Sequence, residues 1–126
     1  MRLLIDTQIF IWIAENPSRI HPAARTALEY PGNEVFVSAV TPWEIAIKVG
    51  LRRLDFPVGE FWDMVKTFDF AILDVTAHHG LAAGALPRHH ADPFDRMLVA
   101  QARLEGLTLV SSDALIAQYD VDILPS

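Results

Sequence analysis

The sequence predicts an α/β fold, a three-layer α/β/α sandwich around a mainly parallel sheet, and three observations carry that prediction. Apolar runs at Leu3-Leu4-Ile5, Val35-Phe36-Val37 and Leu107-Thr108-Leu109-Val110 are nearly continuous, as in strands buried on both faces. Helical patterns separate them, so each connection can cross over to a parallel neighbour. Acidic residues recur where apolar runs give way to helix starts: Asp6, Glu44, Asp95 and Asp113. In an open α/β sheet the strand carboxyl ends share one edge, where distant acids can meet.

Arg2 to Ile5 reads as the first strand, and Ile9, Phe10, Trp12 and Ile13 suit a helix over Gln8 to Ala14, stopped at Asn16-Pro17. Pro22 to Tyr30 reads as a second helix with proline in its first turn and Pro31-Gly32 behind it. Glu34 to Val37 is the second strand. A third helix is expected to begin at Thr41-Pro42 and stop at Gly50, and Phe61, Trp62 and Val65 mark a fourth after Pro57. Phe70 to Leu73 supplies the third strand. Thr76 to Ala85 is an alanine-rich helix, followed by an irregular loop at Leu86-Pro87-Arg88-His89-His90. Asp92 can cap the next helix, Pro93 fits its first turn, Met97, Leu98, Ala100, Ala102 and Leu104 offer burial, and Gly106 ends it. Leu107 to Val110 is the fourth strand and Val121 to Leu124 a fifth.

With 126 residues, 52% of them hydrophobic and 21% charged, the chain fits one domain, 1–126, with roughly two thirds of its unfolded surface buried. No repeat or polar linker divides it. Cysteine is absent, which excludes disulfides, thiolate catalysis and cysteine-held metals and fits the cytoplasm. The apolar start, Met1 to Ala14, is interrupted by Asp6 and Gln8, lacks a small-residue cleavage site and is too short to span a bilayer, so no membrane role is expected. A net charge of -6 argues against gripping nucleic acid by bulk electrostatics, so such binding has to be local or metal-assisted.

Each acid has a structural reading beside the functional one. Asp6 sits at a strand end, yet it can also cap the first helix. Thr41-Pro42-Trp43-Glu44 spells a capping box, in which Glu44 would reach back to the backbone of Thr41. Asp92 occupies the cap position and Asp95, one turn inward, can be a ligand or merely complement the helix dipole. Arg96 beside it reads as a surface ion-pair partner or a phosphate contact. Asp113 follows Ser111-Ser112 and is either a metal or water holder or the cap of a helix over Ala114 to Gln118. One structural explanation would have to operate four times, which favours a shared metal site.

The adjacent pairs His78-His79 and His89-His90 lack the helical spacing that puts two ligands on one face, and read as solvated loop or partly buried helix residues. Trp12, Trp43 and Trp62 read as core or interface aromatics before base-stacking platforms.

As a whole the chain resembles the PIN-domain ribonucleases, and among them the VapC-like toxins of bacterial toxin-antitoxin pairs. The resemblance rests on Leu3-Leu4-Ile5-Asp6-Thr7, on Ser38-Ala39-Val40-Thr41-Pro42-Trp43-Glu44-Ile45-Ala46-Ile47-Lys48, on Asp92-Pro93-Phe94-Asp95-Arg96-Met97-Leu98-Val99-Ala100-Gln101-Ala102, and on the Ser-Ser-Asp step ending at Asp113. It implies a PIN-like sandwich, Mg2+- or Mn2+-dependent endoribonuclease activity on RNA phosphodiester bonds, a cognate antitoxin and a homodimer. The family's acidic set maps onto Asp6, Glu44, Asp95 and Asp113, and Ser111 stands where the family often has threonine. On this reading Asp6, Asp95 and Asp113 hold metal while Glu44 orients or deprotonates water. Lys48, Arg52, Arg53, Arg88 and Arg96 become candidate contacts to the RNA backbone, and Trp12 and Phe10 candidates for an antitoxin groove or for the core. The alternatives are a PIN-type nuclease that processes RNA or DNA without an antitoxin, and a binding module with a decayed site, against which the four retained acids speak. A phosphoacceptor receiver domain would need a late strand-end lysine that is missing after Val110.

Overall fold

The computed structural model describes residues 1–126. Strands β1 (Arg2–Ile5), β2 (Glu34–Ser38), β3 (Ala71–Leu73), β4 (Thr108–Ser111) and β5 (Ile123–Pro125) form one sheet in the order β3-β2-β1-β4-β5. Each of its four strand pairings is parallel. The helices are α1 (Thr7–Glu15), α2 (Pro22–Glu29), α3 (Val40–Gly50), α4 (Phe61–Thr67), α5 (Ala77–Ala85) and α6 (Pro93–Glu105).

Alternation along the strands divides the apolar residues between two cores. Leu3, Ile5, Val35, Val37 and Val110 point into one with Ile9, Phe10, Ile45, Phe56 and Phe61. Leu4 and Leu109 point into the other with Leu98, Val99, Leu86, Ile116 and Tyr119. Helices α1 to α4 therefore cover mainly one face, and α5 and α6 the other, which makes three layers. Phe10 lies at the centre of an aromatic group with Phe56, Phe61 and Phe70, at centroid distances of 6.1, 5.3 and 6.1 Å, and is a core residue rather than part of a groove.

The third helix departs from the sequence reading at both of its ends. The third helix starts at Val40, before Thr41, because the Ser38 hydroxyl accepts the Val40 N–H at 3.1 Å and turns the chain directly out of β2. Thr41 thus lies inside the helix and no capping box forms. The helix also runs through Gly50, and its left-handed residue is Arg52, with φ of 57°. Arg52 N–H meets the Val49 carbonyl and Arg53 N–H the Lys48 carbonyl, at 3.0 and 2.9 Å, a Schellman closure normally built on glycine. Gly106, with φ of 66°, does terminate α6 as expected.

Candidate functional site

Strand order reverses at the centre of the sheet: β1 is followed by β2 on one side, while β4 pairs with it on the other. That switch point opens a crevice beyond the strand carboxyl ends. Asp6 leaves β1 and Asp113 follows β4, while Glu44 stands in α3 and Asp95 in the first turn of α6. All four carboxylates line one cavity of about 220 Å³, together with Thr7, Gln8, Lys48 and Arg53.

Asp6 combines both of its sequence readings. Its Oδ1 accepts the Ile9 N–H at 2.8 Å and so caps α1, while the residue stays only 4% exposed against the cavity. Burial pushes its pKa up to about 6; hydrogen bonds from Ser111 and Ile9 offset part of that rise, and Glu44 and Asp113 add to it.

Glu44, 3% exposed, is fixed from both sides. The Thr7 hydroxyl donates to Oε1 at 2.6 Å and the Lys48 ammonium, one turn along the helix, donates to Oε2. Thr7 has a single proton and spends it on the carboxylate, so in the 3.2 Å contact between Thr7 and Thr41 the donor is Thr41. Thr41 and Glu44, which have capping-box spacing, are instead the two ends of a buried relay, Thr41 to Thr7 to Glu44.

Asp92 is the cap of α6, its Oδ1 accepting from Phe94 N–H at 2.8 Å and Asp95 N–H at 3.4 Å. Asp95 is thereby left free to face the cavity. Burial pushes it up to about 7, Asp92, Glu44 and Asp6 push the same way, and His90 counters part of the rise. Asp113 accepts the Leu115 N–H on Oδ1 at 2.8 Å, steering the chain toward a short 3₁₀ turn at Ile116–Gln118 rather than capping a helix from Ala114. Its other oxygen faces His90.

The spacing of His89-His90 reads as a loop pair without a ligand role, yet the His90 side chain is largely buried and its Nε2 lies 3.0 Å from Asp95 Oδ2 and 2.9 Å from Asp113 Oδ2. His79 differs in another way: it is 1% exposed, closes a capping box with Thr76 and pairs with Glu105 at 2.8 Å, so it is a buried structural residue. Arg96 is neither a surface ion pair nor a phosphate contact. It is buried and donates to the carbonyls of Ala83, Leu86 and Pro87 at 2.9, 3.1 and 3.0 Å, with longer bonds to Gly84 and His90. Of the other basic candidates, Lys48 and Arg53 line the cavity, whereas Arg52 and Arg88 do not. Trp43 and Trp62 are 61% and 68% exposed rather than core, and Trp43 packs edge-on against Phe94 at 5.2 Å.

The donor set fits a hard divalent cation. It consists of carboxylate oxygens, two of which, on Asp6 and Asp95, are held back from ionising by burial first and by neighbouring carboxylates second, the conflict that a bound cation relieves. Magnesium and manganese favour such an oxygen set over nitrogen or sulfur.

The sequence profile of the PIN domain family matches residues 3–122. The chain belongs to the PIN domain family. Ribonuclease VapC22 of Mycobacterium tuberculosis (strain ATCC 25618 / H37Rv) is 27% identical over 119 residues, spanning 93% of this chain and 91% of its own length. The crystal structure of VapBC2 from Rickettsia felis, bound to a DNA fragment from its promoter, superposes with a TM-score of 0.73 at 14% identity, covering 99% of this chain and 98% of that one. VapBC-5 from Mycobacterium tuberculosis, a member of the VapBC family of toxin-antitoxin systems, superposes with a TM-score of 0.65 at 18% identity, covering 99% and 98%. At these identities the two structures speak for the fold, and the PIN domain architecture extends over nearly the full length of this chain.

Proposed function

We propose that this PIN domain, residues 1–126, is a metal-dependent endoribonuclease that acts in the cytoplasm as the toxin of a toxin-antitoxin pair. One observation carries the reading: Asp6, Glu44, Asp95 and Asp113, up to 107 residues apart by numbering (113 minus 6), line the same small cavity at the sheet switch point. The relationship to Ribonuclease VapC22 over 93% of the chain supports RNA as the substrate.

Asp6, Asp95 and Asp113 would hold Mg2+ or Mn2+, which when bound supplies positive charge to a phosphate oxygen and to an attacking water. Glu44, immobilised by Thr7 and Lys48, orients that water or takes its proton. Lys48 and Arg53 offer local positive charge to the RNA backbone on a protein whose net charge is -6.

A cognate antitoxin would cover the active edge and an apolar groove. A groove of about 390 Å³, lined by Ile13, Pro17, Ile20, Leu28, Phe68 and Phe70 together with Arg25 and Glu29, supports that part of the reading. A homodimer is the proposed assembly.

Incubation of the purified protein with RNA and Mg2+ should give discrete cleavage products, whose ends can be sequenced, and chelation should abolish them. Asp95→Asn and Asp6→Asn should lower cleavage by at least about a hundredfold, given the weight of charge stabilisation in such sites. Equal cleavage by wild type and Asp95→Asn would refute the assignment.

A further inference from the structure

We infer that His90 is a positioning residue that braces Asp95 and Asp113 in the geometry that receives the cation, without itself binding the ion; the inference rests on the metal-site reading above. The backbone that carries this ring is held by buried groups from two other parts of the chain. The backbone N–H of His90 donates to the Tyr119 hydroxyl at 2.9 Å, and Arg96 donates to the His90 carbonyl at 3.4 Å. Both anchors are buried, and neither depends on the imidazole.

The ring's two nitrogens then have fixed and different duties. Nδ1 accepts the Asp92 N–H at 3.1 Å, a contact that leaves no room for a proton on that nitrogen. The ring proton therefore sits on Nε2, where it points at Asp95 Oδ2 and Asp113 Oδ2, at 3.0 and 2.9 Å. Nε2 and one oxygen of each carboxylate lie within 4.8 Å of one another, a spacing that also suits three ligands of one ion. The tautomer decides between these readings, because a nitrogen that carries a proton has no lone pair for a metal.

The physical role follows from what the two carboxylates would do alone. They are like charges, and Asp113, whose side chain is 35% exposed, is otherwise held only through Oδ1 by the Leu115 N–H, which leaves Oδ2 able to swing toward solvent. One N–H shared between them holds both oxygens toward each other and adds no charge, so their attraction for a cation is retained. Partners that orient ligands from outside the coordination sphere typically account for 10- to 100-fold in metal affinity.

Two amides one methylene apart test this. A glutamine amide nitrogen reaches about as far as Nε2 and keeps the donor, whereas an asparagine oxygen reproduces only the Nδ1 contact to Asp92. Calorimetric titration with Mn2+ alone should show His90→Asn weakened by about 10- to 100-fold and His90→Gln within about threefold of wild type. The spin-echo spectrum of bound Mn2+ should show no directly coordinated nitrogen. Wild-type affinity in His90→Asn, equal losses in both variants, or a coordinated nitrogen signal would each overturn the brace. A wild type that binds Mn2+ with this pattern yet cuts no RNA upholds the brace and sinks the nuclease reading alone.

Discussion

At the scale of single residues, the acids of this cavity should store free energy against folding until a cation arrives. Asp6 and Asp95 titrate near 6 and 7 in the folded protein against 3.8 for the free side chain. Between those values the folded state binds more protons than the unfolded one, so stability falls as pH rises. Their contribution is fully present below about pH 4 and is lost as pH passes through 6 and 7. Urea denaturation in chelator should therefore show a protein less stable at pH 7.5 than at pH 5, and Asp95→Asn should flatten that slope. A metal-free stability that climbs over the same interval would contradict the burial of these two groups. Glu44 makes the complementary case. With Lys48 removed, as in Lys48→Met, its buried carboxylate keeps only the Thr7 hydroxyl, and we expect a loss of about 1–2 kcal/mol, moderated by the partial exposure of the lysine. Equilibrium unfolding of that variant measures it.

At the scale of elements, chain ends and loops explain where sequence reading succeeded and where it stopped. Asp92, Pro93 and Gly106 bound α6 because cap, first-turn proline and left-handed glycine each act locally, on backbone within a few residues of themselves. The start of α3 escapes the same local logic: Thr41 and Glu44 have capping-box spacing, but Ser38 takes the first N–H and frees both for the relay through Thr7. No local pattern announces a partner 37 positions away. Arg96 shows the same limit, since beside Asp95 it looks like a surface charge, and only the packing of α5 against α6 brings the carbonyls of Ala83, Leu86 and Pro87 to it. Arg96→Met should cost about 3 kcal/mol or more, because it strips buried carbonyls of their donors. The Schellman turn after α3 offers the opposite sign. Arg52 is exposed and holds φ of 57° against the preference of any residue with a Cβ, so Arg52→Gly should stabilise the protein by roughly 0.5–1 kcal/mol after glycine's own entropy cost. A shift of both midpoints in the same direction would refute one of these two assignments.

At the scale of the whole molecule, the order of apolar runs and helices was sufficient for a parallel three-layer sheet, because continuous burial on both faces leaves few other arrangements. It also placed the acids at one edge, since topology rather than side-chain detail decides which strand ends are neighbours. The place of His90 beside the acids is not legible in the sequence, because its partners, Asp95 and Asp113, are 5 and 23 positions away and meet it only through the folded 86–90 loop. The fold and the proposed ion should then be thermodynamically linked. A ligand that binds only the folded state stabilises it by about 2.7 kcal/mol at a hundredfold excess over its dissociation constant, on the order of 10 °C in Tm for a chain of this size. Protons compete for the same oxygens, so the shift produced by Mn2+ should be large at pH 7.5 and shrink toward pH 5, where Asp6 and Asp95 are mostly protonated. Asp95→Asn should reduce it at every pH. An Mn2+ shift that is the same at both pH values, or undiminished in Asp95→Asn, would mean that the ion binds elsewhere and that the edge assembled from β1, α3, α6 and β4 is not a metal centre.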